Sequence, residues 1–254
     1  MTAGSLTDLL LAGSAAAAGA VNAVAGGGTL LTFPPLEVAL ASAAAANATS
    51  TVALLPGSLA GAAGYRAEVR AGRRMVGLLV GPSLVGGFLG AGLVVLAPAA
   101  FGRLVPWLIT AAVLLFAVQQ PVSRHLRRHR PDHAPGPAGR LALVGFQFLV
   151  AVYGGYFGAG IGILMLSTLG LMGVSDIHRA NGIKTFLAAT INAASVLVFV
   201  WGGLVNWRVA GLMAAAAVVG GYAGARLARR TRPAVVRAVV MLIGVGLAGY
   251  YFSK

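Results

Sequence analysis

"NAVAGGGTLLTF", residues 22–33, sets three consecutive glycines, Gly26, Gly27 and Gly28, inside an apolar run that otherwise favours a helix. Each glycine costs a helix interior about 1 kcal/mol relative to alanine. Alanine is abundant on both sides, at 15–18 and 43–46, so the run predicts a deliberate break in a helix. Composition identifies the solvent around that break. Of the 254 residues 58% are hydrophobic and only 9% charged, with mean hydropathy +0.87. A water-facing domain carries about 25% charged residues, so this chain has the bilayer as its solvent.

Apolar segments fall at 6–25, 29–45, 47–65, 75–97, 103–120, 141–157, 162–174, 182–202, 208–226 and 234–252, several of them near the about 20 residues that cross a bilayer. The first carries Asp8 near its start and no Lys or Arg stands before it, so it is expected to be retained structure and not a removed signal peptide. The absence of cysteine excludes disulfides and thiolate metal sites. A net charge of +14 is explained without nucleic acid by arginines held on the cytoplasmic side. These lie in "YRAEVRAGRR" (65–74), "SRHLRRHRPDHAPGPAGR" (123–140) and "RLARRTR" (226–232).

The middle cluster separates two copies of one unit, offset by 134 residues from Asn47 to Asn181. The same offset pairs Gly26 with Gly160, Gly28 with Gly162, Leu30 with Leu164, Thr51 with Thr185 and Arg74 with Arg208. It continues through "GGFLGAGL" (86–93) and "GGYAGARL" (220–227) to Arg103 and Arg237. Matching loops differ in charge: the loop after the Asn helix is basic in copy one and holds a single arginine, Arg208, in copy two, and the following loop reverses this. The copies are therefore expected to be inverted, with termini outside and arginine clusters inside. The predicted fold is an all-α polytopic membrane protein of two inverted repeats. Each has a broken-helix or hairpin region plus three spanning helices, about eight to ten helical segments in all. The division is 1–122 for the first repeat, 123–139 for a cytoplasmic basic linker and 140–254 for the second repeat. The region before each Asn helix, about 36 residues long, must enter and come back, as two spans or as a re-entrant hairpin.

Broken helices in a membrane survive only inside protein or beside a wet cavity. In inverted-repeat transporters the N-terminus of a half-helix offers N–H donors and partial positive charge to an anion. Gly26, Gly27, Gly28 and Thr29 in copy one, and Gly158, Gly160 and Gly162 in copy two, are the candidate breaks; tight helix packing is the alternative use of small residues. Packing is the reading for Gly86/Gly90 and Gly220/Gly224. Asn22 and Tyr156, which match across the repeats, precede the breaks and are placed at the cavity. Asn47, Thr51, Asn181, Thr185 and Asn192 can donate to an oxyanion or bond between helices. Lys184, one turn after Asn181, is the only lysine before the C-terminus; it contacts the anion or snorkels to the interface. Glu37, after "FPP", is a possible coupling carboxylate or an exposed hairpin end. His125, His129 and His133 have metal-like spacing, but Pro131 and the surrounding arginines make them a solvated loop, so no metal site is expected. No acidic pair, Ser/His/Asp set or phosphate loop points to an enzyme or a cofactor.

"AGGGTLLTFPPL" followed by "ANATSTVAL", and "FGAGIGILM" followed by "RANGIKTFLAATINA", resemble the TauE/SafE sulfite exporter family over residues 6–252, with a departure at Glu37, where the family usually has an apolar residue. The resemblance implies a secondary transporter of small sulfur-containing anions such as sulfite, sulfoacetate or other organosulfonates. It also implies a multi-pass protein of the bacterial inner membrane, with proton or sodium as a possible coupling ion. The competing classes are a non-transporting accessory or sensor subunit and an anion channel.

Overall fold

The computed structural model describes residues 3–24, 27–128, 136–174, 176–228 and 233–253; Gly26, His129 and His133 lie outside them. Among the described residues there are eleven helices and no strand. They are α1 (Ala3–Val24), α2 (Thr29–Leu40), α3 (Ala43–Gly64), α4 (Arg66–Ala71), α5 (Arg73–Leu96) and α6 (Pro98–Arg128), then α7 (Pro137–Tyr156), α8 (Ile161–Leu171), α9 (Ile177–Trp201), α10 (Trp207–Ala228) and α11 (Pro233–Ser253). The chain is thus an all-α, multi-pass membrane protein: among the described residues five helices, α1, α5, α6, α7 and α9, are long and apolar enough to cross a bilayer.

The starts of α1, α3 and α5 lie at residues 3, 43 and 73, and those of α7, α9 and α10 at 137, 177 and 207, so each pair keeps the sequence offset. The caps keep it too. Ser42 accepts from the Ala45 N–H at 3.3 Å to open α3, and Asp176 accepts from the His178 and Arg179 N–H groups at 2.8 and 3.4 Å to open α9. Those two backbone donors hold the Asp176 carboxyl below its ordinary range.

The two glycine-rich regions each pair a long helix with a short one. α2 has 12 residues and α8 has 11. At 1.5 Å per residue they reach about 18 and 17 Å, against about 30 Å of hydrocarbon. Each region therefore enters through α1 or α7 and returns as a half-helix.

The halves interlock. α1 packs most extensively on α10, and α5 on α7 and α9, so the largest contacts join residues from opposite copies. Glycines allow the approach: a Cβ on Gly86 of α5 would come within 2.7 Å of the Phe148 carbonyl oxygen of α7, and one on Gly220 of α10 would run into the Ala16 carbonyl of α1. At the middle, α3 and α9 run antiparallel. Thr49, near the start of α3, accepts from the Asn206 N–H beyond the end of α9 at 3.1 Å. At the other end, the Thr185 methyl, near the start of α9, would lie 3.3 Å from a Cβ on Gly61 late in α3. The main core gathers Leu30, Phe33, Phe101, Val105, Phe116 and Phe157, all buried.

Candidate functional site: the second helix break and the polar stripe of α9

α9 carries two accessible faces separated by buried ones. At 100° per residue, Asn181, Lys184, Thr185, Ala188 and Asn192 fall within an arc of about 100°, and every one is partly exposed. Phe186, Thr190, Ala193 and Leu197 form the opposite face and are also accessible. Gly182 and Ala189 on one flank, and Leu187 and Ile191 on the other, are buried. The apolar face is the lipid side, and its one hydroxyl, on Thr190, bonds back to the Phe186 carbonyl at 2.9 Å. The polar stripe, walled off from that side by both flanks, lines an internal cleft. Its walls are α3, where Gly61 meets Thr185, and α8, where the Lys184 stem would lie 3.2 Å from a Cβ on Gly162.

That contact places Lys184 over the first turn of α8. The turn begins after Gly158 and Gly160, with φ of +80° and +82°, values that favour glycine over any residue bearing a Cβ. The Ile161 and Gly162 N–H groups find no backbone acceptor among the described residues. The break itself is held by Tyr153, whose hydroxyl donates to the Ala159 carbonyl at 2.8 Å. Two positive features therefore converge without a negative partner, the half-helix N-terminus and an ammonium that makes no hydrogen bond or ion pair among the described residues. Asn181 and Asn192, on the same stripe, likewise have no partner there. An oxyanion would meet both requirements.

The first break is built differently. Gly27 adopts φ +89° against the Phe116 ring. The Gly28 N–H, expected to be bare, is taken by Asn22 Oδ1 at 2.8 Å, and Thr29 begins α2 behind it. On α3 the stripe matching that of α9 is largely shut. Asn47 and Ser50 are buried, Ser50 bonds Thr32 at 2.6 Å, and the Thr51 hydroxyl bonds back to the Asn47 carbonyl at 2.8 Å. Antiparallel packing puts Asn47 and Asn181 at opposite ends of the α3/α9 pair. The two breaks nevertheless meet one turn of α6, with Phe116 at Gly27 and with Ala112 and Leu115 at Gly160.

Tyr156 contributes its backbone: its carbonyl accepts from Asn47 Nδ2 at 3.0 Å, while its ring packs edge-on against Phe101 at 5.1 Å. Phe33, Phe101 and Phe157 extend this into a buried cluster, with Phe33 and Phe157 5.6 Å apart. Tyr153 and these rings were not legible as site residues, since their repeat partners include Gly19, Ser167, Val235 and Ala23, none of them aromatic. Glu37 accepts from the Tyr251 hydroxyl of α11, which ties α2 to that helix. A hollow of about 390 Å³ between α6, α7 and α8 is lined by Ala111, Leu114, Leu115, Val118, Tyr153 and Leu164. It is an apolar outer depression, separate from the polar stripe of α9. Among the described residues no group of His, Asp or Glu could hold a metal.

Comparison with known proteins agrees with this architecture. The chain is similar to a probable membrane transporter protein of Haemophilus influenzae, 26% identical over 229 residues that cover 88% of this chain and 86% of the relative. It is similar to the probable membrane transporter protein YfcA of Escherichia coli K12, 27% identical with 89% and 82% covered. A third relative, the probable membrane transporter protein ORF9 of a Sinorhizobium species, is 26% identical with 91% and 87% covered. No solved structure matches. The model of the family described as sulfite exporter TauE/SafE matches residues 11–251, almost the whole chain, and the protein belongs to that family of membrane transporters.

Proposed function

We propose that the protein is a secondary transporter that carries small sulfur-containing anions, such as sulfite, sulfoacetate or related organosulfonates, across the bacterial inner membrane by alternating access. The observation that carries this reading is the unequal state of two matched stripes. The α9 stripe is accessible and ends at Lys184 and the bare first turn of α8, whereas the α3 stripe is largely buried behind Asn22–Gly28 and Thr32–Ser50. Inverted repeats that adopt different conformations open a shared site to one side at a time. Tetrahedral or pyramidal oxyanions suit the N–H groups of Ile161 and Gly162, the Lys184 ammonium and the amides of Asn181 and Asn192.

The start of α9 lies beside α4, where Glu68 and Tyr65 flank Gly182. Exposed Arg66, Arg70, Arg73 and Arg74 mark that end as cytoplasmic, so the open cleft faces inward. A cysteine introduced at Arg70 is expected to react with an impermeant maleimide only from the cytoplasmic side, and one at Gly203 only from outside. Labelling of both from one side would overturn the inverted arrangement.

The transport reading is tested in proteoliposomes. Uptake of sulfite or sulfoacetate should saturate and should be driven uphill by an imposed ion gradient, with sulfate and taurine as competitors. Flux that never saturates marks a channel, and no flux with any of these anions removes the transport reading.

A further inference from the structure

Asn47 holds an unsatisfied oxygen that no anion could satisfy. It is 1% exposed, and its Nδ2 donates to the Tyr156 carbonyl at 3.0 Å. A carbonyl can only accept, so this bond fixes the amide orientation and leaves Oδ1 as an acceptor. Oδ1 is buried and has no partner among the described residues. Leaving such an oxygen unpaired is unfavourable, and an oxyanion beside it would add repulsion.

The neighbouring groups have the same polarity. Tyr156 is the last residue of α7, where the helix breaks. The Tyr153 carbonyl accepts from the Phe157 and Gly158 N–H groups, whereas the Gly154, Gly155 and Phe157 carbonyls accept no backbone hydrogen bond among the described residues. Gly154, Gly155 and Phe157 are buried. A helix C-terminus carries about half a negative charge, and in broken membrane helices such carbonyls bind cations. The Lys184 ammonium, reaching α8 from the other side of the break, is the positive group of the anion cleft and is not bonded to Asn47.

We infer that Asn47 Oδ1 and the free carbonyls ending α7 form a binding site for a monovalent alkali cation. All these ligands are neutral oxygens, which suits a single charge. A divalent ion takes carboxylates, and among the described residues no carboxylate cluster stands here. The site lies across the four-residue break from the first turn of α8, so cation and anion sites would share one helix break. On the transport reading proposed above, that position would let an ion gradient act on anion binding.

The test uses purified full-length protein without any sulfur anion, so its outcome is independent of the anion reading. Melting temperature is followed while NaCl or KCl replaces choline chloride at constant ionic strength. Wild type should show a saturable rise with one of the alkali cations. Asn47→Ala should weaken the apparent affinity at least tenfold. Asn47→Asp retains the oxygen and adds charge, so it should bind the same cation more tightly and gain a response to Ca²⁺. If Asn47→Ala does not fold, the Asn47→Asp comparison decides. Identical melting in all three salts would mean that Oδ1 holds only a water, and would overturn the inference. An unchanged cation response in the variant that folds would do the same.

Discussion

Replacing Lys184 with glutamine is expected to weaken anion affinity about ten- to a hundred-fold while the protein still inserts and folds. A hydrogen bond to a charged group contributes about 1.5–3 kcal/mol, and about 1.4 kcal/mol is a factor of ten. Lys184 has no structural partner to lose, since it forms no ion pair or hydrogen bond among the described residues and only its stem packs, over Gly162. Removing an unpaired charge from a membrane segment should leave the melting temperature unchanged or raise it. Lys184→Arg should fall between, because a planar guanidinium cannot occupy the place of a compact ammonium over the turn. Calorimetric titration with sulfoacetate, read beside thermal melting, separates the two roles. Wild-type affinity in Lys184→Gln would return this residue to snorkelling.

A large loss of stability is expected from alanine at Gly220 and also at Gly86. These two positions match across the repeats, and each lets a helix of one half touch a helix of the other. A methyl on Gly220 would overlap the Ala16 carbonyl, and one on Gly86 would come 2.6 Å from the Ala151 Cβ. Overpacking costs about 1–3 kcal/mol, and backbone neighbours cannot swing aside as a side chain would. The matched control is Gly77 and Gly211, where an added Cβ meets nothing within 4 Å. Alanine there should hold or raise the melting temperature, because glycine is the poorer helix former. Equal melting of Gly220→Ala and Gly211→Ala would remove the packing role.

Much of the fold was legible because it repeats. The offset read from Asn47 and Asn181 reappears in the starts of α1 and α7, of α3 and α9 and of α5 and α10, and in the caps Ser42 and Asp176. The glycine breaks were legible as well, through their conflict with helix propensity. Repeat matching, however, treats the halves as equal and so could not show which stripe is open. It did not show that Asn22 would satisfy the Gly28 N–H while Ile161 and Gly162 stay free. The meeting of Asn47 and Asn181 in one site was expected from their matched positions. Inversion itself separates them: inverted copies run α3 and α9 in opposite directions, which sends the two helix starts to opposite ends. Tyr156 was read for its side chain, yet it is the carbonyl freed by the end of α7 that Asn47 holds.

The rings of Phe33, Phe101, Tyr156 and Phe157 form an edge-on cluster, whereas the residues at the matching positions of the other repeat, Ser167, Val235, Asn22 and Ala23, are not aromatic. An edge-on aromatic pair contributes about 0.5–1.5 kcal/mol beyond its burial. Parting two such pairs therefore shifts a two-state equilibrium by about five- to a hundred-and-fifty-fold. In the transport cycle proposed above, the side held by these rings would be shut in the resting molecule and the α9 side open to cargo. Ligand binding would then have to supply the difference before the cluster could part, a threshold that an empty carrier would seldom cross.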